Sequence, residues 1–260
     1  MDVPEKRRIE IKKQLEKNQS LSVANLARIF NVSEITIRRD LARLQDRGFL
    51  EKVHGGAIAK VSKEEYLPVY LDDIKLHREE KIRIAKSAAE LISDGDSIII
   101  ESGTTCLELV NNIRNKKNLV IFTASVLLAY ELWKISLNRS DLEVNICGGL
   151  IESKSNTLIG SQAVQFFNNI SAKLAFIGAI AISADEGYVV TSSQMDADVT
   201  RAIVNSSRRR ILIADSSKFS KTAHIKVFPL TVLEMVITDS KLDKKILNKL
   251  KRTGVKIILA

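Results

Sequence analysis

The sequence predicts an α/β protein in two parts: a small, mostly helical N-terminal part closed by a β-hairpin, and a larger part built on a mostly parallel sheet. Three observations predict it. Short amphipathic helical stretches fill the first 45 residues, apolar β runs alternate with helical stretches from residue 97 onward, and positive charge is unevenly spread. The chain has 260 residues and a formal charge of +9. Residues 1–60 hold 13 Lys+Arg against 8 Asp+Glu, a net of +5, and the remaining 200 hold 27 against 23, a net of +4. Charge per residue is thus several-fold higher in the first part, as expected of a surface that meets phosphates. The excess is modest, so tight binding calls for a dimer or a larger assembly.

Residues 4–17 place Ile11 and Leu15 at helical spacing with Ile9 beside them, and Pro4 suits a first turn. Ser22–Phe30 reads as a second short helix, with Leu26, Ala27 and Phe30 on its apolar side and Asn31-Val32 as the turn after it. A third helix runs from Ser33, a good N-cap, to Leu44. At about 100° per residue, Ile37, Leu41 and Leu44 fall on one side, and Ile35, Arg39, Ala42 and Arg43 on the other, with Thr36 and Arg38 on the flanks. Such a helix suits a DNA major groove: Arg for guanine edges and phosphates, Thr and Ile for thymine methyls. Alone it fits a solvated surface helix as well, so its neighbours decide. Two short helices joined so tightly form a helix-turn-helix. Gly48–Ile58 then has two β-prone runs around Gly55-Gly56, a hairpin signal that completes a winged helix-turn-helix over residues 1–58. The expected contacts to double-stranded operator DNA are Ser33, Ile35, Thr36, Arg38, Arg39 and Arg43, with Lys52 and His54 on the wing.

Residues 7–58 resemble the DNA-binding domain of the DeoR family of bacterial transcriptional regulators. The resemblance rests on Val32-Ser33, Thr36-Ile-Arg-Arg-Asp-Leu41, Leu44, Gly48 and His54-Gly-Gly-Ala57. It spans both the recognition helix and the wing.

Residues 59–75 are charged, hold a Pro and lack a sustained period, so they read as a linker. Leu76–Leu91 is a helix. Apolar β runs follow at Ser97–Ile100, Leu119–Phe122, Leu142–Ile146, Leu174–Ile182, Arg210–Ala214, Glu234–Thr238 and Val255–Leu259. Helical stretches at Leu107–Ile113, Val126–Trp133, Val199–Val204 and Leu242–Leu250 lie among them. This alternation predicts a mostly parallel α/β domain over residues 76–260, whose sites lie at the carboxyl ends of its strands. Three loops fall there. Glu101-Ser-Gly-Thr-Thr105 offers amides, hydroxyls and a helix N-terminus, which suits a phosphate or serves as an ordinary capped turn. Gly148-Gly149 allows close backbone approach by a ligand or is simply a turn. Asp215-Ser-Ser-Lys-Phe219 pairs a carboxylate with an ammonium, for a polyol phosphate or as a surface ion pair.

Residues 77–240 resemble the sensor domain of the same family, through Asp94-Gly95-Asp96, Ser102-Gly-Thr-Thr105, Gly148-Gly149, Gly160, Gly178, Ile182-Ser183, Gly187 and Ala214-Asp-Ser-Ser-Lys-Phe219. The resemblance implies a fold similar to ribose-5-phosphate isomerase, used to sense a phosphorylated sugar. It implies that Ser102, Gly103, Thr104 and Thr105 cradle the phosphate and that Asp215 and Lys218 hold the sugar end, with Glu101, Ser125, Gly148 and Gly149 completing the effector site. Glu101 stands where the family usually has Asp, and Ala124 where it usually has Asn.

The expected function is a sequence-specific repressor of a carbohydrate-catabolism operon, released by a phosphorylated sugar and working as a homodimer or homotetramer. The signal would pass through residues 59–81. An isomerase-like enzyme with a DNA-binding appendage is the alternative from another class. It needs a base at a substrate carbon, and only Glu101 and Asp215 fall at strand ends, so no enzyme is expected. Activation rather than repression is a further alternative, because the sign depends on where the operator lies. No run of eighteen apolar residues appears, and the charged N-terminus lacks an apolar stretch, so the protein is expected in the cytoplasm without membrane contact. Cys106 and Cys147 read as small buried hydrophobes, with a redox sensor as the alternative. His54, His77 and His224 lack ligand spacing, so neither a metal nor a cofactor is expected.

Overall fold

The computed structural model of the protein describes residues 7–11, 14–15, 20–46, 49–53, 55–59, 68–152 and 154–260. The chain divides into two compact units, Met1–Val69 and Tyr70–Ala260. The expected boundary at residue 58 thus falls within the first unit.

In the first unit, residues 7–11 are helical, and β1 (Ser20–Ser22), α1 (Val23–Phe30), α2 (Glu34–Asp46), β2 (Leu50–Val53) and β3 (Gly56–Ala59) follow. Pro4 and Gly48 lie outside the described residues. Ser22 caps α1 by accepting the Asn25 amide at 3.2 Å. Asn31 ends it in the left-handed conformation, φ 50°, which an Asn side chain tolerates. That reversal leaves room for only two residues before Ser33. Ile11, Leu26, Ile37, Leu41 and Leu50 are fully buried in one shared core, so the apolar faces meet as the periodicity predicts. The wing hairpin β2–β3 forms in antiparallel register around Gly55-Gly56. β1, unforeseen in the sequence, pairs with β3 and makes the sheet three-stranded.

α3 (Pro68–Lys75) begins two residues before the second unit and runs into it, inside the stretch that reads as a linker. Its apolar residues are too few and too close to charges for the period to show. Then come α4 (Arg78–Ala89), β4 (Ser97–Ile100), α5 (Thr104–Asn112), β5 (Leu119–Thr123), α6 (Val126–Ser136), β6 (Leu142–Ile146), β7 (Leu150–Glu152), β8 (Thr157–Ile159), α7 (Ser161–Asn168) and β9 (Ala172–Ile177). β10 (Ala181–Ser183), β11 (Tyr188–Thr191), α8 (Gln194–Asn205), β12 (Ser207–Ile213), β13 (Ile225–Pro229), β14 (Met235–Thr238), α9 (Lys244–Arg252) and β15 (Lys256–Leu259) complete it. Seven strands form one sheet in the order β15-β14-β12-β9-β4-β5-β6, and every neighbouring pair is parallel.

Side chains alternate across this sheet. Ile98, Ile100, Leu174 and Phe176 pack under α4, α5 and α6, while Ile99, Ala175 and Ile177 face α7 and α8. Both faces are covered, which explains why the strands read as unbroken apolar runs. One expectation needs correction. Leu174–Ile182 is not one strand: β9 stops at Ile177, and β10 belongs to a separate antiparallel sheet, β10-β11-β13. Gly178 marks the break, and its amide leaves the ladder to meet a side chain. The chain winds from β4 outward through β5 and β6, then returns to β9 on the other side of β4. The strand order therefore reverses between β4 and β9, the place where such folds leave a crevice.

Candidate functional site

In the first unit, α2 divides as the periodicity requires. Ile37, Leu41 and Leu44 are buried, whereas Ile35 is 65% exposed and Arg39 and Arg43 are exposed. Ser33 accepts the Thr36 amide at 3.3 Å and shares a 2.9 Å hydrogen bond with the Thr36 hydroxyl, tightening the first turn. Arg38 pairs with Glu34 at 3.1 Å across one turn, in full view of solvent. Asp40 behaves differently: it is buried and accepts from Arg7 at 2.6 Å and Arg8 at 3.3 Å, tying the first helix to the back of α2. Lys52 is exposed on β2, and its amide donates to Gln45 Oε1 at 3.0 Å. His54 lies outside the described residues.

In the second unit, the loop after β4 faces the crevice. Ser102 accepts a 2.6 Å hydrogen bond from the hydroxyl of Thr157, on β8. Thr104 and Thr105 are buried in the first turn of α5, whose leading amides have no acceptor within the helix. Asn156 accepts from the Ser125 hydroxyl at 2.8 Å and the Leu127 amide at 3.1 Å. After β12, Asp215 opens a short 3-10 turn, Ser216–Phe219. It is 1% exposed; Oδ1 accepts from the amide and hydroxyl of Ser217, and Oδ2 has no hydrogen-bond partner. Lys218 is buried on the same turn, and Lys81 on α4 is fully buried.

Glu101 bridges the base of the crevice. Its Oε2 accepts from Gly178, on the loop after β9, at 2.7 Å, and Oε1 meets the Thr200 hydroxyl of α8. Burial pushes its carboxyl up to about 8, although both hydrogen bonds oppose the rise and the charge of Asp196 adds to it. Burial likewise holds the Cys106 thiol well above its ordinary value and lifts Cys147 to about 11. Both thiols are buried and protonated near neutrality, the opposite of a reactive thiolate.

Residues 7–63 match the DeoR-like helix-turn-helix domain, and residues 76–240 match the DeoR C terminal sensor domain. The chain belongs to the DeoR family. An HTH-type transcriptional regulator of Haemophilus influenzae (strain ATCC 51907 / DSM 11121 / KW20 / Rd) is 30% identical over 259 residues, 99% of this chain and 98% of its own. The regulator GlpR of Haloferax volcanii is 28% identical, covering 98% of each chain. The transcriptional repressor GlcR of Bacillus subtilis (strain 168) is 26% identical, covering 98% of this chain and 96% of its own. Among solved structures, ribose 5-phosphate isomerase A of Methanocaldococcus jannaschii is 14% identical with a TM-score of 0.39, over 55% of this chain and 54% of that one.

This DeoR-family regulator brings Ser102, Gly103, Thr104 and Thr105 together at the head of α5, and Asp215 with Lys218 at the end of β12. It directs other expected ligand groups into the protein. Glu101 is engaged by Gly178 and Thr200, so it braces the crevice from below. Ser125 is the N-cap of α6, accepting the Leu128 amide at 3.2 Å. Gly149 serves packing: at φ 136°, a Cβ there would lie 2.5 Å from the carbonyl oxygen of Ile159 across the β7–β8 hairpin. Gly148 stays open, with nothing nearer its added Cβ than Gln162 at 3.9 Å. Asp94 and Asp96 belong to the turn entering β4, at the far end of the strand. Sequence reasoning misses Tyr70, Asp73, Lys81, Asn156 and Thr157. Lys81 alone leaves a trace, a lysine among the apolar positions of an amphipathic helix.

Proposed function

We propose that the chain represses a carbohydrate-catabolism operon and leaves its operator when a phosphorylated sugar intermediate binds the α/β unit. The observation that carries this reading is the buried Asp215 oxygen without a partner, beside the buried Lys218. An unmet carboxylate oxygen in the interior costs ~1–3 kcal/mol or more, and a sugar hydroxyl supplies the missing donor. Lysines nearby supply positive charge for a phosphate, and the α5 N-terminus adds amides. The repressor GlcR among the relatives supports the sign of regulation.

Release requires the sugar phosphate to bind the DNA-incompetent arrangement more tightly. A coupling of ~1–3 kcal/mol changes operator affinity about 5–150-fold. Recognition of a two-fold operator calls for a homodimer or homotetramer. We read the protein as non-enzymatic and cytoplasmic. Glu101 is held by Gly178 and Thr200, which takes one of the two strand-end carboxylates away from the work of a base at a substrate carbon. No described helix is long and apolar enough to cross a membrane.

The test is thermal unfolding against a panel of phosphorylated sugars, with the parent sugars as controls. A ligand at 100 times its Kd adds about 2.7 kcal/mol. We expect one phosphosugar to stabilise the protein, Lys218→Ala to abolish the effect, and the same compound to weaken binding to operator DNA. Stabilisation by a parent sugar alone, or an unchanged response in Lys218→Ala, would sink the reading.

A further inference from the structure

The lysines of the crevice already hold an anion, and it belongs to the chain. Asp73 on α3 places Oδ2 2.9 Å from Lys218 Nζ and Oδ1 3.9 Å from Lys221 Nζ, and its main-chain carbonyl accepts from Lys81 Nζ. One turn earlier, Tyr70 buries its hydroxyl beside Asn156. Helix α3 therefore spans the crevice, with a carboxylate on the β12 side and a phenol on the β8 side. Burial pushes the Asp73 carboxyl up, but the hydrogen bond and charge of Lys218, aided by Lys81 and Lys221, outweigh it and hold the group below its usual value. Burial, helped by the charges of Cys106 and Asp73 and opposed by Asn156, lifts the Tyr70 hydroxyl to about 12.

This arrangement is held incompletely. Two ammonium groups, Lys218 and Lys221, share the one Asp73 carboxylate, the fully buried Lys81 reaches its main-chain carbonyl, Asp215 Oδ2 lacks a partner, and Asp73 is still 27% exposed. A phosphomonoester carries about −1.5 to −2 charges on three acceptor oxygens, against one charge on two oxygens for a carboxylate. It matches three lysines better than Asp73 does.

We propose that Asp73 is an internal competitor for the effector: it occupies the lysine site of the unliganded sensor, and a phosphorylated ligand binds by displacing it and with it α3. The inference rests on the effector reading above and adds the element that moves. α3 begins at the last two residues of the first unit and runs into the sensor unit, so it is continuous in sequence with both. Displacement of α3 thus gives occupancy of the crevice a covalent route toward the DNA-binding unit.

The test uses the full chain and inorganic phosphate, followed by thermal unfolding, with Asp73→Asn, Asp73→Glu and Lys218→Ala. We expect Asp73→Asn to lower the half-saturating phosphate concentration at least fivefold, the low end of usual couplings. Asp73→Glu, which keeps the competing charge, stays near the wild type. Hydrogen exchange on the wild type reads the same event without a substitution: saturating phosphate should speed exchange of residues 68–75. Equal phosphate affinity in wild type and Asp73→Asn, or unchanged exchange at residues 68–75, overturns the competitor while leaving the anion site intact. A phosphate response that survives in Lys218→Ala, or none in any variant, overturns the site itself and the competitor with it.

Discussion

The recognition helix and the crevice of the sensor unit both gather cations, and they hold them in opposite ways. Arg39 and Arg43 stand exposed on α2, and Arg38 leans on a glutamate one turn away. An exposed pair of that spacing is worth about 0.3–0.5 kcal/mol, so a phosphate can take Arg38 from Glu34 at little cost. Lys218 is buried, and its partner Asp73 is 145 positions away in the chain. Stripping a buried ion of its partner costs ~3–5 kcal/mol, so Asp73 leaves only when another anion arrives. The open surface is built for diffuse, salt-sensitive attraction and the closed one for exchange of one anion against another.

The sharpest test of the buried side is Glu101. Its folded pKa, about 8, lies above the unfolded value of 4.5. A raised carboxyl binds more protons in the folded state, so its contribution is complete below pH 4.5 and is lost as pH rises to about 8. At ~1.4 kcal/mol per pKa unit the loss is several kcal/mol. Denaturant unfolding at pH 5 and pH 8.5 should show the decline, and Glu101→Gln should flatten it while keeping the brace to Gly178. An equal slope in the variant would mean that other groups carry the pH dependence.

A buried ion also sits behind the exposed face. Removing Asp40 takes a carboxylate from Arg7 and Arg8, whose side chains are 12% and 8% exposed. Asp40→Ala should therefore destabilise the winged unit by ~3–5 kcal/mol, more than any substitution on the exposed side of α2. Chemical denaturation followed by a signal from that unit measures this. A loss below ~1 kcal/mol would place Asp40 with ordinary surface pairs.

The same contrast explains what could be read from the sequence. Ile35, Arg39 and Arg43 were legible because three- and four-residue spacing alone decides their side of the helix. The parallel sheet was legible because strands covered on both faces carry no polar alternation. The crevice was legible only where one loop contains two of its groups, as Ser102 with Thr105 and Asp215 with Lys218 do. Asp73, Asn156 and Thr157 come from a presumed linker and a hairpin without a clear pattern, and only the folded chain brings them to β4 and β12. Asp40 was hidden for a related reason: its period puts it near the apolar side, where a carboxylate is sensible only once Arg7 and Arg8 are seen. Gly149 shows a second reason for a glycine, a steric one that the sequence does not reveal. Gly149→Ala should cost ~1–3 kcal/mol through strain at a positive φ and overlap with Ile159. Its thermal stability checks this, and loss of ligand binding without loss of stability would return Gly149 to the effector site.

The smallest effects belong to the exposed side, and their pattern matters more than their size. Arg39→Ala should cost ~1–3 kcal/mol if its guanidinium reads a base edge, and it should relax preference at one operator position. Lys52 on the wing has no such geometry to exploit. Lys52→Ala should weaken operator and unrelated DNA alike and reduce the slope of log K against log salt by about 1, the signature of one phosphate contact. Titrations at several salt concentrations with both DNAs separate the two roles. Sequence-selective loss at Lys52 together with uniform loss at Arg39 would exchange the assignments of helix and wing. Uniform loss at both would make Arg39 a phosphate contact and leave the reading of bases to Ile35, Thr36 and Arg43 on the same helix.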